Sequence, residues 1–226
     1  MNADYKYKIE LHAHSYPASG CADLRAGDVV RRYSEAGVAG LALTNHFTAG
    51  HVKYDKGYYE NFLHDFYEAK KAGDSLGVRV YLGAEIRFEN SWNDYLVYGI
   101  DEVDLKKIAG YLPLGIKRYI TAFRGSESVI IGAHPFRFGM DEPQGGTDGT
   151  EGYNMHEGHD SRNHLALAHA RKYNHIITAG TDFHHAHQVA GAGLILAKTL
   201  PEDSFALAKL LKSRDFLLEI NGKVIS

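Results

Sequence analysis

The sequence predicts an α/β protein whose strands close into a barrel with crossover helices outside, and three observations carry that expectation. Short apolar runs alternate with longer amphipathic ones along nearly the whole chain, the pattern of strand-helix-strand units around a parallel sheet. The chain has 226 residues, 44% of them hydrophobic, which suits one undivided domain over 1–226, because α/β barrels reach this size around a single core. Finally, the side chains best able to bind metal fall at the carboxyl ends of the expected strands, where barrel sites are built.

Taken in order, Tyr7 to His14 reads as the first strand, Leu24 to Ala36 as a helix closed by Gly37, and Gly40 to His46 as the second strand. A longer helix follows from Tyr58 to Leu76, ended by Gly77. Arg79 to Phe88 is the third strand and Tyr95 to Ile100 the fourth, joined by the turn-rich Glu89-Asn90-Ser91-Trp92-Asn93. Helical segments near Val103 to Ala109 and Ile116 to Phe123 precede a strand from Val129 to His134, stopped by Pro135. A short strand at Gly152 to Asn154, a helix from Arg162 to Tyr173, a strand from Ile176 to Thr181 and a helix from Pro201 to Leu211 complete the alternation. Leu194-Ile195-Leu196 adds a strand after the break at Gly191-Ala192-Gly193.

Composition excludes several classes of partner. A net charge of -3 leaves no basic footprint, so long nucleic acid held through its phosphates is not the expected partner, while a single mononucleotide or small phosphorylated metabolite is compatible with it. The single cysteine, Cys21, cannot form an internal disulfide and fits a reducing compartment. With no apolar leader at the N-terminus and no membrane-spanning stretch, the cytoplasm is the expected location. Ser15 has no evident base partner and Cys21 sits in a Gly-Cys-Ala loop, and both read as structural.

Histidine is the anomaly, with 14 copies. His12-Ala13-His14 ends the first strand, and residues i and i+2 of a strand share a face, so both imidazoles project together. Asp182-Phe183-His184 repeats the device near the other end. His46, Glu85 and His134 stand at three further strand ends. Convergence of such groups on one barrel mouth predicts a polynuclear metal centre and hydrolytic chemistry. His156, His159 and His164 follow the flexible Gly145-Gly146-Thr147-Asp148-Gly149 and read as a polar loop, and His185 and His187 extend a second local cluster.

Six segments share an order and spacing with one family. Glu10-Leu11-His12-Ala13-His14-Ser15, Ala42-Leu43-Thr44-Asn45-His46, Gly83-Ala84-Glu85, Ala133-His134-Pro135, Glu151-Gly152-Tyr153-Asn154 and Gly180-Thr181-Asp182-Phe183-His184 together resemble the polymerase and histidinol phosphatase (PHP) superfamily, over nearly the whole chain. The resemblance implies a distorted TIM-like (βα)7 barrel and two or three divalent metal ions. It implies that His12, His14 and Asp182 hold one ion, that Glu85 bridges it to a second held also by His134, and that His46 and His184 lie at a third. Histidine and carboxylate ligands suit Zn, Mn or Fe. The function expected is a histidinol-phosphatase-like phosphoesterase, in which a metal-activated hydroxide attacks a small phosphorylated metabolite.

The chain departs from that pattern in places. Tyr16-Pro17-Ala18-Ser19-Gly20 supplies no acidic or imidazole ligand for the third ion. Asp94 stands where many members carry a second-metal histidine; it is counted among the candidate ligands, although aspartate is also an ordinary residue at a strand start. Asn45 replaces the usual aspartate before His46 and reads as a partner that orients it or as a turn amide. Arg137 and Arg87 are the candidate phosphate clamps, Arg87 reading also as a surface ion pair; Arg162 and Asn163 are weaker candidates. Glu85, His184 and Arg137 are the expected catalytic residues. The same ligands would serve a nuclease or nucleotide phosphatase, metal-dependent amide hydrolysis, or a non-catalytic metal-binding scaffold.

Overall fold

The computed structural model describes residues 4–123 and 126–225. Strand β1 (Tyr7–Ala13) leads into helix α1 (Ala26–Glu35), whose buried Ala26, Val29, Val30 and Tyr33 recur at helical spacing and face helix α3 (Tyr58–Leu76). The second expected strand is two pieces, β2 (Gly40–Leu43) and β3 (His46–Thr48), parted at Thr44-Asn45. The third is likewise two, β4 (Arg79–Leu82) and β5 (Ala84–Arg87), parted at Gly83. Between β3 and α3 lies a helix the sequence reading missed, α2 (Ala49–Tyr54), which is only six residues long. The Thr48 side chain caps it by accepting from the His51 amide.

Strand β6 (Asp94–Tyr98), helices α4 (Glu102–Tyr111) and α5 (Ile116–Phe123), strands β7 (Val129–Gly132) and β8 (Gly149–Asn154), helix α6 (Asn163–Lys172) and strand β9 (Ile176–Gly180) follow. Then come β10 (Gly193–Ala197), α7 (Ser204–Ser213) and an antiparallel pair unforeseen in the sequence, β11 (Phe216–Ile220) with β12 (Lys223–Ile225). Helix α7 begins three residues later than expected because Asp203 is its N-cap, accepting from the Ala206 amide at 2.8 Å. Gly77 ends α3 with φ +73°, a left-handed conformation that costs glycine little.

Two six-stranded sheets result, ordered β12-β11-β10-β1-β2-β4 and β3-β5-β6-β7-β8-β9. Because β2 runs on into β3 and β4 into β5, the sheets share two interrupted staves. The seam between β9 and β1 is closed by the Ala13–Phe183 bridge, where the Phe183 amide donates to the His12 carbonyl and the His14 amide to the Phe183 carbonyl. Around the ring the staves are β1, β2/β3, β4/β5, β6, β7, β8 and β9: a distorted α/β barrel of seven staves.

The expectation of an all-parallel sheet needs correction. Strand β6 runs antiparallel to both β5 and β7, since only the short turn before Asp94 connects it to β5, and such a link can only form a hairpin. Outside the ring, β10 pairs antiparallel with β1 and carries β11 and β12 as an extension. Along β1, Ile9 and Leu11 enter an apolar cluster with Leu207, Ala208 and Leu211 of α7, while the alternate residues Glu10 and His12 face the other side.

Candidate metal centre

His14, His134 and Asp182 lie just beyond β1, β7 and β9, while His46 opens β3 and Glu85 lies in β5 at the interruptions of their staves, and together they surround His12. Among the described residues three groups of ligand atoms converge: His12 with His14 and Asp182, His12 with Glu85 and His134, and His14 with His46 and His184. Two of these residues sit in backbone conformations that non-glycine residues seldom adopt, His134 at φ +28° and Asp182 at φ +54°. Strain of this kind, about 1–3 kcal/mol each, persists only where surrounding contacts enforce it, and it gathers at functional sites.

The contacts that enforce the arrangement lie one layer out. Buried Glu10 accepts from the amides of Leu11, His12 and Thr181 and from the Thr181 hydroxyl, tying β1 to the end of β9. Burial pushes the Glu10 carboxyl up to about 7 despite those donors. Glu151 holds His12 Nδ1 at 2.9 Å through Oε1, and its Oε2 accepts from the His134 amide and the Asn154 side chain, which also donates to Asp182. Gly180 allows the close approach, since a Cβ there would lie 2.5 Å from His12 Cβ and 2.6 Å from Glu151 Oε1.

These partners set which nitrogen each histidine offers. His12 Nδ1 donates to Glu151, so Nε2 is the nitrogen turned toward the centre. The Ser19 hydroxyl donates to Asn45 Oδ1 at 2.9 Å, so its oxygen receives His14 Nδ1–H at 3.1 Å and His14 also presents Nε2. His184 Nδ1 is turned to the Asp182 carbonyl at 3.0 Å. A ligand histidine fixed by donation from its other nitrogen is the usual device of metal sites.

Four buried atoms at the centre have no hydrogen-bond partner: His12 Nε2, His14 Nε2, Glu85 Oε2 and Asp182 Oδ1. Stranding such groups costs about 1–3 kcal/mol apiece. Their spacing explains them. His12 Nε2 lies 3.3 Å and His14 Nε2 3.4 Å from Asp182 Oδ1, and His14 Nε2 lies 3.5 Å from Glu85 Oε2. Two donors each about 2.1 Å from one tetrahedral ion are about 3.4 Å apart, so the residues present fit a divalent cation. Glu85 divides its oxygens, Oε1 facing His134 Nε2 at 3.0 Å and His12 Nε2 at 3.4 Å, Oε2 facing His46 Nδ1 at 2.7 Å.

Electrostatics put Glu85, Asp182 and His14 in ligand form, whereas against burial the facing carboxylates raise His12 and His134, so that an entering ion must displace protons there. Burial works against ionised Glu85, but the charges of His46 and His12 hold its carboxyl well below the usual range. Asp182 is held low in the same way, against burial, chiefly by the charge of His12 and also by that of His134. Burial, with cationic His184 and His46 nearby, keeps His14 neutral. His46, opposed by burial but facing Glu85 and Cys21, is raised to about 10.

Not every candidate joins the cluster. Asp94 is buried at the start of reversed β6, opposite Arg87, and both of its oxygens accept from that guanidinium at 2.6 Å; it belongs to none of the three converging groups. Arg87 is therefore engaged as an ion pair. Arg137 approaches Asp94 only to 3.8 Å. Asn163 brackets the Asn154 backbone, and Arg162 donates its amide to Asp160. Ser15 donates to buried Asp65 in α3, and Asn45 reaches His14 only through Ser19.

Sequence reasoning missed Glu10 and Ser19 as supports, and passed over His159 and Cys21. His159 lies in the polar loop as expected, yet its Nε2 is buried without a partner, 3.5 Å from Asp182 Oδ2. The Cys21 sulfur lies 3.3 Å from His46 Nε2 rather than in a purely structural loop. A signal existed for His159, since Ser161 two residues on could fix its ring; they are 3.1 Å apart. A cavity of 840 Å³ bordered by Phe66, Tyr67, Tyr81 and Phe205 contains none of the ligand residues. No helix among the described residues is long and apolar enough to cross a membrane.

No family model and no curated protein matches the sequence. Solved structures do resemble it. A two-domain protein of Bacteroides vulgatus ATCC 8482, described as containing a predicted PHP-like metal-dependent phosphoesterase, superposes with TM-score 0.69 at 14% identity, over 97% of this chain and 66% of that one. The chain thus spans about two thirds of that relative. A candidate metal-dependent phosphoesterase of Bifidobacterium adolescentis ATCC 15703 superposes with TM-score 0.54 at 17% identity, over 91% of this chain and 96% of that one. An amidohydrolase of Chromobacterium violaceum, solved with sulfate and no metal, gives TM-score 0.53 at 17% identity over the same shares.

Proposed function

We propose that this chain, which carries the PHP-type fold, is a metal-dependent phosphoesterase acting on a small phosphorylated metabolite. The observation that carries the reading is the set of four buried, unpartnered donor atoms spaced 3.3–3.5 Å apart at the barrel mouth. In this reading His12, His14 and Asp182 hold one divalent ion, Glu85 bridges to a second with His134, and His46 and His184 serve a third. Zinc, manganese and iron suit such donors. Ions so held supply Lewis acidity, which makes water nucleophilic near neutral pH and offsets charge on a phosphoryl oxygen.

The chain's own residues do the rest. Glu151 and Ser19 hold the imidazoles in the ligating tautomer, so little reorganisation is needed when an ion enters. Arg137, the less committed of the two arginines beside Asp94, is the group to clamp a phosphate, because its planar fork matches two oxygens at once. The near-neutral balance of charge favours a small substrate over a polynucleotide.

The test is metal content of the purified protein by plasma emission, paired with hydrolysis of an aryl phosphate, a phosphomonoester and nucleotide panel, and an aryl amide. Two or three ions per chain with phosphoester turnover, both lost in Glu85→Gln, is the expected result. Metal bound with no turnover on any phosphoester would replace the reading with a scaffold, and turnover confined to the amide would replace it with an amidohydrolase.

A further inference from the structure

The loop after β1 is tied down more firmly than a connection requires. The Tyr16 amide donates to the Leu24 carbonyl at 2.7 Å, Ala22 to Ser19 at 3.0 Å, and Asp23 to the carbonyl of His184 at 2.9 Å. Asp65 of α3 accepts from the Ala18 amide and the Ser15 hydroxyl. Cys21 is thereby carried to the rim of the cluster, its sulfur 3.3 Å from His46 Nε2 and in contact with His184.

Three more observations point to an ion at that place. His184 turns Nδ1 to the Asp182 carbonyl, so Nε2 is the nitrogen its ring can offer an ion. The His14 ring stands 4.1 Å from that of His184 and 4.5 Å from that of His46, and its fully buried Nε2 has no partner. Ligand atoms of these three histidines already converge. When sulfur about 2.3 Å and nitrogen about 2.1 Å from one tetrahedral ion are considered, the two lie about 3.6 Å apart, close to the separation of Cys21 and His46.

We infer that Cys21 is a metal ligand: with His46 and His184 its thiolate holds a thiophilic divalent cation, zinc or ferrous iron, at the outer edge of the cluster. This rests on the reading of the cluster as a metal centre and supplies the third-site ligand that Tyr16 to Gly20 lack. The thiol proton leaves to water as the sulfur–metal bond forms. Three protein donors and one open position are the donor count of a catalytic rather than a structural site. A thiolate also disfavours manganese and magnesium, so the outer site differs in metal preference from the nitrogen and oxygen sites beneath it.

Cobalt(II) reads this out directly, because sulfur-to-cobalt charge transfer absorbs in the near ultraviolet, and the chain has one cysteine. Metal-free protein titrated with cobalt should develop that band, with the final intensity of one thiolate–cobalt bond per chain. Cys21→Ser should lose it while keeping the visible absorption of cobalt at the other sites, and His46→Ala should lose it as well. As a check that needs no variant, zinc should block the reaction of Cys21 with a thiol reagent. Cobalt bound by the wild type without the band, or a band that survives Cys21→Ser, overturns the assignment of Cys21, a band that survives His46→Ala overturns the site shared with His46, and each leaves the metal centre standing. No cobalt uptake by folded wild type overturns both.

Discussion

Ser19 decides which nitrogen of His14 faces the centre. Its hydroxyl is spoken for by Asn45, so its oxygen can only accept from the imidazole, and it receives the His46 amide besides. Ser19→Ala should leave the fold in place and let His14 and Asn45 drift, weakening metal binding by about 10–100-fold, the usual cost of removing a residue that orients a ligand. Competition with a chromophoric chelator measures this, and unchanged affinity would show that the tautomer is set elsewhere. At this scale the residue types able to ligate were legible, because histidine and carboxylate at strand ends announce themselves. Their supports were not. Ser19, Glu10 and Glu151 act through hydrogen bonds to residues distant in sequence, and a serine in a turn or a glutamate in a strand looks the same whether or not it makes them. Asp94 shows the converse: its identity suits a ligand, but a guanidinium seven residues before it takes both oxygens.

Elements were readable where local chemistry decides them. Helix α3 falls where periodicity and the closing glycine predict, and α7 starts at its aspartate cap. The interruptions in the second and third staves were read through, although polar Thr44-Asn45 and then Gly83 stand at them, because apolar residues resume on the far side of each. The reversal of β6 follows from a connection too short for a crossover, a signal present in the sequence but outweighed by the regular alternation elsewhere. Strand β9 meets β1 so closely that Gly180 has no room for a methyl group. Gly180→Ala should force His12 and Glu151 apart, costing about 1–3 kcal/mol and abolishing metal uptake at the His12 site. Thermal denaturation and metal analysis on the same sample check both parts. An unperturbed metal content would mean that the seam is softer than these distances imply.

For the whole molecule, the cluster joins five staves, so ions bound there should stabilise the fold and not merely the mouth. Occupancy at a free concentration of about 100 times Kd adds about 2.7 kcal/mol per site, and for a chain of this size each kcal/mol raises Tm by about 2–4 °C. A chelator-treated sample should therefore melt at least about 5 °C below one restored with zinc, as calorimetry would register; equal melting temperatures would place the ligands outside any binding linked to folding. The barrel class was legible because alternation and length are global properties of a sequence. The extension β10-β11-β12 was not, since nothing local says which edge a terminal hairpin will choose. The Ala13–Phe183 bridge has a consequence for how such a chain comes into being. Synthesis delivers His12 and His14 well before Asp182, so until β9 emerges the first strand waits with that edge open to solvent and to neighbouring chains. A cation captured at the finished seam is then the clasp on a ring that could not close earlier, and an intact site certifies that the nascent barrel has been completed in register.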